Sequence, residues 1–255
     1  MAINLSELQK KARGAPRILL HGGEGVGKTT FACGAPDVFM LDLEKGRAMC
    51  DPKMAVEPAT YPEVMELLQA LATQEHDYKT VVIDSLDTLE AMITAHICKE
   101  NGWSDIASPS YGKGYAARTD GPWSKFWRAI DYLRDHNQMM VIMIAHSAIV
   151  KIEDPILPSF DAHHLHLYKN EKAKAEEVPD IIGYCMVKAY TAKDGERNLA
   201  STAGERVIKL AKNPAYTAKN RYNMPEELPL NWQVFFDTLN RCMNHKTNTT
   251  TGDEN

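Results

Sequence analysis

The stretch Gly22-Gly23-Glu24-Gly25-Val26-Gly27-Lys28-Thr29 constrains this chain more than any other. It follows the apolar run Ile18-Leu19-Leu20 and leads into Thr30-Phe31-Ala32, so it reads as strand, glycine-rich turn and helix. Glycines let the backbone curl until several N–H groups converge on one small volume that no side chain obstructs. The helix that follows adds its own unpaired N–H groups and the positive end of its dipole. A polyphosphate suits that volume. Gly22 to Thr30 would cradle it, and Lys28 would reach the β- and γ-phosphates as a point charge. The Thr29 hydroxyl would complete the shell of a magnesium ion. The spacing predicts a nucleoside triphosphate site.

The pattern that follows is α/β. Gly34-Ala35-Pro36-Asp37 stops the first helix. Val38-Phe39-Met40-Leu41 and Thr80-Val81-Val82-Ile83 are continuous apolar runs, as expected of strands buried on both faces of a parallel sheet. Each run closes on acid: Asp42-Leu43-Glu44 after the first, Asp84 after the second. Carboxylates at strand ends beside a phosphate loop stand where ligand chemistry belongs in an open sheet. Asp84 is the expected magnesium partner. An acid at that point could equally cap the next helix, as could Ser85 or Asp87. Thr60 and Pro62 open a helix with Val64, Leu67, Leu68 and Leu71 on one face; a second helix runs from about Leu86 to Glu100. Pro122 opens a third, whose Trp123, Phe126, Trp127, Ile130 and Leu133 read as core. The fourth buried strand, Met139 to Ile144, ends in Ala145-His146-Ser147. At that tip His146 either touches the γ-phosphate or its attacking water, or is simply satisfied there.

Two stretches lack such periodicity. Between Ser108 and Arg118 the residues Tyr111, Lys113, Tyr115 and Arg118 interleave aromatics with cations, a composition suited to single-stranded nucleic acid, though also to a lid or plain loop. Lys151 to Asp180 reads as a long irregular segment of mixed charge. Its His163-His164-Leu165-His166 cluster has no cysteine or carboxylate at ligand spacing, which argues against zinc. Ile181 to Ala189 and Arg206 to Lys212 then read as strands paired antiparallel across a turn at Lys193-Asp194-Gly195-Glu196. From Lys188 to Arg221, Lys188, Lys193, Arg197, Arg206, Lys209, Lys212, Lys219 and Arg221 face only Asp194, Glu196 and Glu205. That is a local basic surface, hidden within a net charge of −5. Trp232 to Met243 closes the pattern as an amphipathic helix.

At 255 residues the expectation is a single domain over 1–245, with 1–14 as a helical arm and 246–255 as a disordered polar tail. Apolar runs are too short to span a bilayer and the N-terminus has no signal-peptide core, so the expected setting is cytoplasmic, away from membrane. Cys33, Cys50, Cys98, Cys185 and Cys242 are scattered and odd in number, which suits free thiols.

Together these pieces resemble the RecA core, and most closely the short phage-encoded RecA-like ATPases of the Sak single-strand annealing group, over about Arg17 to Leu239. The anchors are the Gly22–Thr29 loop, Phe39 to Gly46, Val82-Ile83-Asp84-Ser85, Ser110 to Tyr115, Ile144-Ala145-His146-Ser147 and Lys219-Asn220-Arg221-Tyr222. The resemblance implies a RecA-like sheet, mainly parallel, flanked by helices and antiparallel at its C-terminal end. It implies hydrolysis of ATP with Mg2+, with Glu44 activating the water, His146 sensing the γ-phosphate, and a DNA-binding loop from Ser147 onward. Lys219 and Arg221 would be fingers reaching into a neighbouring subunit's ATP, which implies a homo-oligomer, ring or filament, with its sites at the interfaces. Single-stranded DNA, a single-strand-binding protein and the host cytoplasm complete the picture. The separate DNA-binding domains of full recombinases are missing, which weakens strand exchange as an activity. Two rivals share the phosphate loop: a ring-forming helicase or loader motor, and a small-molecule phosphotransferase. No arginine-rich lid lies between Gly102 and Gly121 to support the second.

Overall fold

Short apolar runs bounded by glycine, proline or acid become the interior strands of one sheet. The computed structural model describes residues 14–46, 50–155, 158–194 and 197–248, with side chains described outside 189–203 and 245–248. In chain order the elements are β1 (Arg17–Gly22), α1 (Lys28–Cys33), β2 (Val38–Asp42), β3 (Met54–Val56), α2 (Tyr61–Thr73), β4 (Thr80–Asp84) and α3 (Leu86–Asn101). They continue with α4 (Lys113–Arg118), α5 (Ser124–Asp135), β5 (Met140–Ile152), β6 (Phe160–Leu165), α6 (Lys169–Glu177) and β7 (Ile181–Asp194). The last are β8 (Arg197–Lys209), β9 (Lys219–Asn220), β10 (Glu227–Pro229) and α7 (Trp232–Asn248). The strand order is β10-β8-β7-β1-β5-β4-β2-β3. From β3 across to β7 the neighbours are parallel, while β8 and β10 run antiparallel. This is the α/β class expected from sequence, including its antiparallel C-terminal end.

Strand alternation divides the core in two. Leu19, Val81, Ile83, Val141 and Met143 face α2, α3 and α5, where Val64, Leu68, Leu89, Phe126 and Ile130 meet them. Ile18, Leu20, Val82, Ile142 and Ile144 face the other way, onto Phe31 of α1 and Trp232, Phe235 and Leu239 of α7. Two helix starts use the signals read from sequence. Thr60 and Ser85 each accept from a backbone N–H three residues on, from Glu63 and Thr88, so Ser85, not Asp84, caps α3.

Several expectations are corrected. The segment after His146 is not irregular: β5 continues to Ile152 and returns as β6 in an antiparallel hairpin, and α6 follows. Its residues alternate between half-buried and exposed, a weaker signal than a buried run, and the prolines at 155 and 158 mask the hairpin. Cys33 and Cys50 are paired as a disulfide, Cα to Cα 6.2 Å, whereas Cys98, Cys185 and Cys242 are free thiols as expected. The closing helix runs five residues past Met243 to Asn248, into the stretch expected to be a tail. Residues 1–13 of the expected arm, 249–255 of the tail, and Gly195-Glu196 of the hairpin turn lie outside the described residues. No described helix is long and apolar enough to cross a membrane.

Candidate active site

Register brings the sequence motifs to one edge of the sheet. Gly22 ends β1 opposite His146 of β5, Asp84 lies opposite Ile144, and Asp42 lies opposite Asp84. Only glycine suits position 22, because a Cβ there would sit 2.2 Å from the carbonyl oxygen of Cys185 on β7. Gly27 holds φ at 104°, the left-handed turn that starts α1. Between them the backbone closes over a cavity of about 440 Å3, bordered by Glu24, Lys28, Thr29, Glu44, Asp84 and His146 among others. A larger cavity of about 540 Å3 lies between α5 and α6, but Trp123, Trp127 and Glu171 line it and no phosphate-binding backbone reaches it.

Lys28 folds over the loop, its Nζ donating to the carbonyls of Gly22 at 3.1 Å and Gly23 at 2.9 Å. Burial holds its pKa below the ordinary lysine value. The Thr29 hydroxyl donates to Asp84 Oδ2 at 2.6 Å. Burial, with smaller contributions from Glu44 and Asp42, pushes the Asp84 carboxyl up to about 6; the Thr29 bond opposes that shift. A hydroxyl and a desolvated carboxylate touching each other beside a phosphate cradle fit a magnesium ion, whose charge would hold Asp84 ionised. Thr29 and Asp84 are the residues that would hold it.

Glu44 is positioned by β4. The Asp84 carbonyl accepts from the N–H groups of Leu43 at 2.7 Å and Glu44 at 3.3 Å, which turns the chain at the strand exit. Asp42 fixes the same turn from below, accepting from the Gly46 N–H at 3.0 Å. The Glu44 Oε1 accepts from the hydroxyls of Ser85 and Thr88. Among the described residues its hydrogen bonds fall on Oε1 alone, which leaves Oε2 for a water.

His146 also points here, and its holder is a residue the sequence reading treated as a capping candidate. Asp87, in the first turn of α3, accepts from the His146 backbone N–H at 3.0 Å and lies 2.8 Å from its Nδ1. A carboxylate can only accept, so the Nδ1 proton faces Asp87, and Nε2 is the nitrogen without a hydrogen bond among the described residues. Glu44 Oε1 is 3.5 Å from the same Nδ1. Glu44, Asp87 and His146 bring ligand atoms within 4.8 Å of one another, but Asp87 and His146 are already joined by hydrogen bonds and Glu44 Oε1 is held by Ser85 and Thr88.

Other expected site residues lie elsewhere. Arg118 is 4% exposed, so its assignment to nucleic acid is corrected: its guanidinium pairs with Glu171 at 3.2 Å and Glu90 at 3.3 Å. It also lies over the stacked rings of Tyr115 and Tyr168. Tyr115 is thereby half-buried, while Tyr111 and Lys113 are exposed. Lys219 donates to the carbonyls of Glu176 and Glu177 at the end of α6, and Arg221 pairs with Asp180 at 3.0 Å. β9 lies beside Ile181 and Ile182, the level of Ile18 and Leu19, so both cations sit toward the opposite end of β1 from the phosphate loop. Of the histidine cluster, His163 stacks on Tyr184 and His164 Nδ1 is 3.0 Å from the Thr217 hydroxyl; His21, outside the cluster, has Nδ1 2.8 Å from Ser147 Oγ and is pushed by burial down to about 4. Of the basic surface, Lys193 and Arg197 lie where side chains are not described. Lys188 and Lys209 are paired with acids. Arg206 borders the cavity. No local motif announced Asp87 or Arg206; the alternation of β8 was the available signal for the second.

No curated protein matches the sequence. Among solved structures the RadB recombinase is similar, with 15% identity and a TM-score of 0.43 over 77% of this chain and 81% of that one. That likeness is too distant to carry an argument. The AAA domain family matches residues 15–222, which takes in the loop, Glu44, Asp84, His146 and β9. With a family match over most of its length and the loop, acid and hydroxyl gathered at one sheet edge, the chain belongs to the AAA-domain P-loop NTPases.

Proposed function

We propose that this protein binds and hydrolyses ATP with Mg2+ and does so on single-stranded DNA, in recombination or annealing of the kind the Sak-type phage ATPases represent. The observation that carries the hydrolytic part is the meeting of Thr29, Asp84 and Glu44 around one cavity, with the Thr29–Asp84 contact at 2.6 Å. Thr29 and Asp84 would hold the magnesium ion, which would supply charge to offset that of the phosphates. The rest falls to the chain. Loop N–H groups and Lys28 hold the polyphosphate; Lys28 exchanges two loop carbonyls for phosphate oxygens. Glu44, oriented by Ser85 and Thr88, takes a proton from the attacking water through Oε2. His146, fixed through Nδ1, offers Nε2 to the terminal phosphate or that water.

The DNA part is supported by position. The β5–β6 hairpin extends directly from His146 and carries the exposed Ile149 and Lys151, while Tyr111 and Lys113 are exposed on the segment before α4. Aromatic faces and cations on such projections suit a single strand. The assembly is a homo-oligomer, ring or filament, working in the cytoplasm beside a single-strand-binding protein. The test is ATP turnover with and without single-stranded DNA at two salt concentrations, in the wild type and in Glu44→Gln. Expected are stimulation that weakens with salt, and a variant that binds nucleotide normally yet hydrolyses it about 100-fold or more slowly. Turnover indifferent to DNA would sink the nucleic-acid reading. Unwinding of a tailed duplex would favour a ring motor, and phosphate transfer to a nucleoside a kinase.

A further inference from the structure

We propose that Arg206 is a polyphosphate ligand supplied in cis, a second cation that the site takes from its own chain beside Lys28. The inference rests on reading the cavity as a nucleotide site. Along β8, alternation sets Glu205, Val207 and Lys209 on one face and Arg206 and Ile208 on the other. Ile208 and Leu210 belong to the core that contains Phe31 and Trp232, so Arg206 extends that face toward α1. Ile208 pairs with Cys185, and Cys185 pairs with Gly22. Arg206 therefore stands two residues beyond the level at which β1 enters the phosphate loop. Its guanidinium overhangs the loop: Nη1 is 3.1 Å from where a Cβ on Gly27 would lie.

The space around it is the nucleotide's. Arg206 borders the cavity that holds Lys28, Thr29, Glu44, Asp84 and His146, and also an adjoining cavity of about 340 Å3 walled by Gly27, Thr30, Phe31 and Trp232. Its neighbours on the antiparallel strands are neutralised. Lys188 pairs with Glu205 and Glu227, and Lys209 with Glu227. Arg206 is exposed and forms no ion pair with a carboxylate among the described residues. A guanidinium presents a rigid fork that matches two phosphate oxygens, a geometry an ammonium does not offer. The Gly27 beneath it carries no side chain to compete for that space.

The test measures competition against a fluorescent ATP analogue with Mg2+, in the full chain and in Arg206→Ala, Arg206→Lys and Lys28→Ala. Competitors are ATP, inorganic tripolyphosphate and adenosine. Arg206→Ala should weaken ATP and tripolyphosphate by ~10- to 100-fold, the size expected of charged hydrogen bonds, and flatten the salt dependence. Adenosine should compete as before, and Arg206→Lys should recover only part of the loss. Unchanged tripolyphosphate affinity, or an equal loss for adenosine, overturns the assignment. Nucleotide binding that survives Lys28→Ala overturns the site itself, and with it this inference; loss there with none in Arg206→Ala overturns the inference alone. Mixing Arg206→Ala with Lys28→Ala subunits should restore no turnover, since neither chain then holds a whole site. Recovery would assign Arg206 to a neighbour's site and refute action in cis.

Discussion

Asp84 and His146 depend on their immediate surroundings in ways that can be measured. In the unfolded chain Asp84 ionises near its ordinary 3.8, whereas burial raises it to about 6 in the fold. Between those values the native protein keeps a proton that the unfolded chain has released, so stability falls as pH rises through that window. Two units correspond to about 3 kcal/mol. In the metal-free protein, Asp84→Asn should therefore gain on the wild type in urea unfolding as pH rises from about 4 to about 6, while losing the Mg2+ dependence of nucleotide binding. A stability difference flat with pH would show the carboxyl to be ionised without cost. Magnesium has to displace that proton, so its affinity in the wild type should climb over the same range. Asp87 acts one step back, through His146. Asp87→Ala removes the acceptor that fixes Nδ1 and frees the ring to turn, which should lower turnover by up to about 100-fold with nucleotide affinity kept. It should also shift the pH profile, as loss of folding alone would not. Sequence made Lys28, Thr29 and Asp84 legible because their geometry is local, a turn and a strand end. Asp87 and His146 are 59 residues apart and meet only because α3 and β5 flank the same strand tip. No pattern along the chain encodes that meeting.

Elements buried on both sides were readable, and elements that depend on a distant partner were not. β1, β2, β4 and the first half of β5 are continuous apolar runs, and register then sets their acids in a row. The β5–β6 hairpin and α6 carry mixed polarity because each has one face in water, so periodicity blurs. The segment with Tyr115 and Arg118 misled for another reason. Aromatic–cation composition describes a stacking surface and a buried ion pair equally well, and Glu171 lies 53 residues on from Arg118. Here the cation joins α4 to α3 through Glu90 and Thr94, and to α6 through Glu171, whose side chain is 0% exposed. Arg118→Ala would leave those carboxylates buried without their cation, and should cost about 3–5 kcal/mol in urea unfolding. The double change Arg118→Met, Glu171→Met removes the cation and the fully buried carboxylate and should recover part of that loss, Glu90 being left without its partner. If Arg118→Ala unfolds normally yet binds single-stranded DNA more weakly, the residue is a nucleic-acid contact after all. Tyr111→Ala and Lys113→Ala, both exposed, carry the opposite expectation of intact stability and weaker DNA binding.

At the scale of the whole molecule the register separates two sets of cations. Arg206 overhangs its own phosphate loop, while Lys219 and Arg221 flank the amino-terminal half of the parallel strands. Lys219 lies at the level of Leu19, three residues and about 10 Å short of Gly22 along the strand. Within one chain these two cannot meet the phosphates. What they do there is hold the end of α6. Lys219 donates to two of its last carbonyls, and Arg221 adds a third contact, donating to the Glu177 carbonyl alongside its pairing to Asp180. Burial lowers the Lys219 pKa, and the neighbouring Arg221 lowers it further. Both roles are compatible, because an edge that presents two cations is also what an adjoining subunit's triphosphate would meet. They differ in what mixing does. If the pair serves a neighbour's site, Lys219→Ala and Lys28→Ala proteins, each inactive alone, should regain turnover when combined, because one interface in the mixture then unites an intact loop with an intact finger. The recovered rate should depend on the mixing ratio and on total protein concentration. A Lys219→Ala protein that unfolds at lower urea, hydrolyses ATP at the wild-type rate and gains nothing from mixing would confine Lys219 to the end of α6. The triphosphate would then lie within a single subunit, with Arg206 as the cation beside Lys28.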